Sequence, residues 1–177
     1  MVEIIAQTKE WIKKVVVGCN FCPFAAKELK QDTIHYEVVT TAGIKAARAA
    51  FLAECKRLDN EESIATTIII FPEAFPDFMD YLDLVDAVEK TLRQNGYEGV
   101  YQVASFHPLY QFAGTEPEDA ANYTNRSIYP MLHILREAQI EKALLNFPDP
   151  QSIPERNVNF AREKGKVYMK MLRDSCL

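Results

Sequence analysis

The order of apolar and polar positions divides the chain into alternating helical and extended segments. Ile5, Ile12 and Val16, with Trp11 and Val15 beside them, recur at helical spacing and predict a first helix from about Val2 to Val17. Gly18 ends it, and Cys22-Pro23 opens a short second helix to about Lys30, because proline suits the first helical position. Thr33 to Val39 then alternates Ile34, Tyr36 and Val38 against His35 and Glu37, the pattern of a half-buried strand. Ile44, Ala47, Phe51, Leu52, Cys55 and Leu58 return to helical spacing. Ala65 to Phe71 is apolar on both faces, as in a strand covered on two sides, and Pro72 ends it. A long helix marked by Phe78, Leu82, Val85 and Leu92 stops near Asn95-Gly96, and Val100 to Phe106 reads as a third strand. Helices are predicted from Pro130 to about Leu145 and from about Pro154 to Leu172.

Strands joined by helical crossovers favour parallel pairing. The pattern therefore predicts one α/β domain over residues 1–177. It has a small, mainly parallel sheet of three to four strands covered by five to six helices, in the order α-α-β-α-β-α-β-α-α. Between the third strand and the next helix, Phe106 to Pro130 is long, irregular and rich in aromatics, amides and hydroxyls. Such a loop points to function.

Charge narrows the partners. The net charge of −5 disfavours nucleic acid and anionic lipid unless basic residues are segregated. Glu61 to Glu89 carries eight acids and no Lys or Arg, whereas Glu155 to Asp174 carries six basic residues against three acids. The basic stretch alternates with apolar residues and reads as the wet side of a helix. No apolar run is long enough to span a membrane, and no signal-peptide core is present. A cytoplasmic protein with reduced cysteines is the expectation.

Cys22 is the first candidate for chemistry. At the start of a helix its sulfur would meet the positive end of the dipole, a setting that favours a nucleophilic thiolate. The bland alternative is an inert cysteine. Cys19 and Cys22 also form a C-x-x-C pair, but a redox dithiol normally follows a strand, and here a helix precedes it. Zinc would need two more ligands. His107 and His133 could supply them, though their spacing matches no standard zinc pattern, and no metal ligand set is assigned.

His107, at the end of the third strand in Ser105-Phe-His-Pro108, is placed for acid–base work or for a backbone hydrogen bond. His133 falls on the predicted helix with Tyr129 and Glu137 on the same face, as a second candidate base or a surface pair. Asn122-Tyr-Thr-Asn-Arg-Ser127 is the densest polar cluster. Its asparagines and serine suit turns, while Arg126 suits a carboxylate or phosphate, with Asp119 or Glu118 as competing internal partners. Arg136 offers a further anion contact. Asn122, Asn125, Arg126, Ser127, Tyr129 and Arg136 are the substrate-binding candidates, and Cys22, His107 and His133 the catalytic ones. Asp77, Asp80, Asp83 and Asp86 read as a solvated helix face, and His35 as the polar side of a strand. Nucleotide-binding and hydrolase signatures are missing, so no cofactor is expected.

Cys22-Pro-Phe-Ala25, Ser105-Phe-His-Pro108, Phe112, Asn122-Tyr-Thr-Asn-Arg-Ser127 and Tyr129-Pro-Met-Leu-His-Ile-Leu-Arg-Glu137 resemble the bacterial family of proteins of unknown function 1415 over nearly the whole chain. Family members often lack a cysteine where Cys19 stands and usually have proline where Ile128 stands. The resemblance implies a one-domain bacterial protein and carries no established activity. From the residues, the leading expectation is a small-molecule enzyme. It would use Cys22 with a histidine base for acyl or amide transfer, or hydrolysis, on an anionic substrate. The alternatives are a non-catalytic module for a carboxylate or phosphate ligand, a Cys/His metal-binding protein, or an interaction domain docking through the aromatic loop.

Overall fold

A computed structural model describes residues 1–145, 147 and 149–177. The first helix follows its apolar stripe as α1 (Val2–Trp11) and continues as a π-helical stretch, Ile12–Val17. After a turn come α2 (Ala25–Gln31), β1 (Ile34–Val38), α3 (Ile44–Asn60), β2 (Thr66–Ile70), α4 (Phe78–Gln94) and β3 (Tyr101–Phe106). The long segment that follows contains one 3-10 turn, Ala120–Thr124, and leads into β4 (Met131–Arg136) and α5 (Glu137–Leu144). A 3-10 turn at Pro150–Ser152 precedes α6 (Ile153–Lys164) and α7 (Lys166–Asp174), which are separated at Gly165.

Two expectations need correction. The predicted helix from Pro130 begins instead as β4, and only Glu137–Leu144 is helical. Met131, Leu132 and Ile134 are fully buried, so β4 is apolar on both faces, a pattern shared by a covered strand and a buried helix. The sheet is also mixed rather than mainly parallel. Its order is β1-β2-β4-β3, with β1 and β2 parallel and β4 antiparallel to both neighbours. β1, β2 and β3 thus run in one direction, as helical crossovers require, but β4 lies between β2 and β3. The result is a split βαβ unit.

Register assigns the two faces, because side chains alternate along a strand and paired residues share a side. Ile68, Ile70, Met131 and Phe106 pack with Trp11, Val15 and Ala161 under α1, α6 and α7. Ile69, Leu132, Ile134 and Tyr101 pack with Phe51, Leu58 and Leu84 under α3 and α4. Along α4, Asp80, Asp83 and Asp86 are exposed, as a solvated face should be, while the Asp77 side chain caps the helix by accepting from Met79 N and Asp80 N.

Gly18 does not break the first helix by its dihedral angles, which stay helical at φ −62° and ψ −35°. Its role is steric. The wide π turn brings Gly18 N to Lys13 O at 3.0 Å, and a Cβ at Gly18 would lie 2.2 Å from the Lys14 carbonyl oxygen. Gly18→Ala should therefore lower stability by about 1–3 kcal/mol, the usual cost of overpacking. Urea denaturation checks this; an unchanged midpoint would mean that the turn relaxes to ordinary α-helix at little cost.

Candidate functional site

At the carboxyl end of β3, on the α6 side of the sheet, lies a cavity of about 550 Å³. Ligand pockets commonly fall in this size range. Val16, Phe21, Phe106, Phe112, Ile153 and Val158 supply its apolar wall. Cys22, Thr115, Thr124, Asn125, Asn157 and Arg162 supply most of its polar wall, with Glu155.

Cys22 sits here because the chain leaves the π-helical stretch, turns at Asn20 and crosses to Phe21, which packs edge-on against Phe160 of α6 at 5.8 Å between ring centroids. Helix α2 starts at Ala25 rather than at Pro23, and Ala25 N donates to the Cys22 carbonyl at 3.3 Å. The expected helix start is displaced, and the Cys22 side chain faces the cavity at partial exposure. Cys19 is buried apart from it, and burial raises its thiol pKa.

The other predicted catalytic residues do not line this cavity. His107 is fully buried. Its Nδ1 accepts from Leu109 N at 3.0 Å, so its Nε2 carries the proton and donates to Phe75 O at 2.9 Å. Both ring nitrogens thus tie loops together, between the rings of Phe78 and Tyr81. Burial lowers its pKa and keeps it neutral. His133 stands on β4, not on a helix, so it shares no helical face with Tyr129 and Glu137. Its Nε2 lies 2.7 Å from Thr66 Oγ1, whose own proton goes to Ile134 O at 2.5 Å. The histidine must then be the donor, again as a neutral ring. Burial pushes its pKa down to about 4, although the residue keeps some exposure.

The polar block organises the long loop. Asn122 is fully buried, accepts from Phe112 N at 3.0 Å and Thr115 Oγ1 at 2.8 Å, and donates to Glu116 O at 2.9 Å. Arg126 donates to Tyr110 O and Pro117 O at 2.9 and 2.8 Å, with its guanidinium 4.9 Å from the Tyr123 ring. Ser127 Oγ bonds Tyr129 O at 2.5 Å, and Tyr129 OH bonds Gln7 of α1. Arg136 caps the carbonyl end of α3, donating to Leu58 O at 2.6 Å and Ile64 O at 3.1 Å. Of the proposed substrate-binding residues, only Asn125 lines the cavity.

Sequence reasoning missed Arg162, Asn157, Thr115 and Thr124. Arg162 falls in the basic stretch read as a wet helix face, and it is indeed half exposed. It forms a two-point pair with Asp119, at 3.1 and 2.7 Å, which holds the Asp119 carboxyl below its usual pKa. Asp119 thus pairs with Arg162 rather than with Arg126.

Two outcomes test these roles. Arg126→Met should cost about 1–3 kcal/mol by stranding two carbonyls in the loop, with no change in phosphate affinity. Equilibrium unfolding and titration with inorganic phosphate measure both, and a loss of phosphate binding would return Arg126 to the ligand. For His133 the folded pKa lies below the unfolded value of 6.5, so its neutral form stabilises the fold fully above pH 6.5. That contribution is lost as pH falls from 6.5 toward about 4. His133→Asn should give a shallower loss of unfolding free energy across this window than the wild type; an identical slope would show that the ring is not held neutral.

Neither a search of curated proteins nor one of solved structures found a match. The family model described as protein of unknown function (DUF1415) matches residues 3–171, and the chain belongs to that family.

Proposed function

We propose that the protein binds a small molecule with an apolar body in the Cys22 cavity, and that it recognises a head group that donates hydrogen bonds. The cavity itself is the observation that carries this reading, since it gathers Cys22, Asn125, and Asn157 with Arg162 of α6 from three distant segments around an apolar pocket. The amide nitrogens of Asn125 and Asn157 each give one N–H to a backbone carbonyl, of Ser105 and Phe21, at 3.1 and 2.7 Å. Their Oδ1 atoms carry only long bonds, from Thr124 Oγ1 at 3.2 Å and Arg156 Nη2 at 3.3 Å. Lone pairs remain on both oxygens for an alcohol or an amide N–H. An anionic ligand is less well served, because Arg126 and Arg136 are occupied by backbone carbonyls and Arg162 is held by Asp119.

Histidine-assisted cysteine chemistry is also less well served. His107 lies outside the cavity lining, and its Nδ1 would have to give up the bond from Leu109 N before it could accept a proton from a thiol. A second reading, thiol chemistry without a histidine base, is favoured only by the position of Cys22 on the cavity wall.

Thermal-shift measurements with phenethyl alcohol, hydrocinnamamide and hydrocinnamic acid test the proposal. The alcohol and amide should stabilise the wild type by several degrees near saturation, about 2–3 kcal/mol at a hundredfold excess over Kd. The acid should act more weakly. Val158→Trp, which fills the cavity, should remove the response while the protein stays folded. Cys22→Ser should keep it. An equal shift in Val158→Trp, or a preference for the acid, would overturn the reading; rapid alkylation of Cys22 near neutral pH would bring the thiol reading forward.

A further inference from the structure

The opposite face of the sheet carries a second cluster that none of this uses. His35 and Glu37 stand two apart on β1, so their side chains leave the sheet on the same face, toward α3. Glu54 projects from α3 to meet them and is 2% exposed. His35 Nε2 lies 3.5 Å from a Glu54 carboxylate oxygen and 3.8 Å from one of Glu37. One ligand atom from each of the three residues falls within 4.8 Å of the others.

Two buried polar atoms here lack hydrogen-bond partners among the described residues. One is His35 Nε2 itself. The other is Oγ1 of Thr67, a fully buried residue that is the register partner of His35 on β2. Unpaired polar atoms in a protein interior are costly and call for an explanation. Two of them on neighbouring strands and on one face, with two carboxylates beside the imidazole, have a common one.

We propose that His35, Glu37 and Glu54 bind one divalent transition-metal ion of the zinc type at the β1 edge of the sheet. Zinc bonds to imidazole nitrogen and carboxylate oxygen lie near about 2.0–2.2 Å, so the three ligand atoms close on an ion with shifts of under about 1 Å. The imidazole ligand and the small number of oxygens argue against calcium or magnesium. Three protein ligands leave one tetrahedral position for water, and such a water supplies the partner that the Thr67 hydroxyl lacks.

Charge agrees. Arg57 bonds both Glu54 oxygens through Nε at 3.1 and 3.2 Å and reaches Glu61 at 3.4 Å. One guanidinium stands against the carboxylates of Glu37, Glu54 and Glu61, which leaves a surplus of two negative charges for a dication. Arg57 is a partly exposed side chain, free to lean toward Glu61 when an ion takes the Glu54 oxygen facing His35.

The test is calorimetric titration with zinc of purified protein stripped by chelator, with cobalt as the spectroscopic probe. Wild type should bind one equivalent and rise in Tm. His35→Gln and Glu37→Gln should each weaken binding by at least about tenfold. Their metal-free circular dichroism and Tm should match wild type, since both positions are partly exposed; Glu54 is left in place because its loss strands Arg57. A Cys19→Ser/Cys22→Ser variant should bind as wild type does, with no thiolate band in the wild-type cobalt spectrum. Absence of saturable binding, affinity indifferent to both β1 substitutions, or a thiolate signature would each overturn the proposal.

Discussion

Strand β4 has to hydrogen-bond on both edges at once, and most of the architecture follows from that. It pairs with β2 on one side through Met131–Leu135 and with β3 on the other through Met131–Arg136, antiparallel to each. Once β4 lies there, β2 and β3 are parallel neighbours held apart by one strand, and α4 must cross over a wider gap. The chain that leaves β3 then has to return to β4 through residues 107–130. A hairpin needs only a few residues for that return. The surplus chain becomes the wall of a cavity.

A loop of that length is stable only if its backbone polar groups are satisfied as it packs. Its bonds come from its own side chains. Asn122 serves three groups of the segment from Phe112 to Glu116, Arg126 serves Tyr110 and Pro117, and His107 ties the start of the loop to Phe75 and Leu109. Each has the hydrogen-bonding capacity that a ligand site would also require. This is why the block from Asn122 to Ser127 reads from sequence as a place to bind something. Buried backbone and bound ligand ask for the same donors and acceptors, and only the burial of Asn122 and Arg126 decides between them.

Much of the fold was legible because its signals are local. The stripes of α1, α3 and α4 and the alternation of β1 depend on neighbours in the chain, and the observed elements follow them closely. β4 was not legible as a strand, since Met131, Leu132 and Ile134 are buried from both sides and only one of the three is β-branched. Mixed topology followed from that single misreading. Of the candidate site, Cys22 and Asn125 were legible as cavity residues, and the position at the end of β3 was too. The rest depended on α6 folding back over the loop. Nothing local to Asn157 or Arg162 announces that Phe21 and Asp119, far away in the chain, will meet them.

The sheet keeps its two polar clusters apart for a physical reason. The inner strands β2 and β4 have helices on both faces and admit few polar side chains, whereas β1 has one free edge. Charged residues on an edge strand also have an ordinary use, which is to prevent pairing with another sheet. That use explains His35 and Glu37 as far as they are exposed. It does not explain Glu54, which belongs to a helix, points inward at 2% exposure and faces an imidazole nitrogen that has no hydrogen bond of its own. Burying a carboxylate costs several kcal/mol unless it is compensated, and Glu54, on α3, takes no part in protecting the edge. Arg57 compensates the charge of Glu54 but leaves His35 Nε2 and Thr67 Oγ1 unsatisfied. A group that bonds to nitrogen and oxygen together accounts for all of them, and edge protection does not.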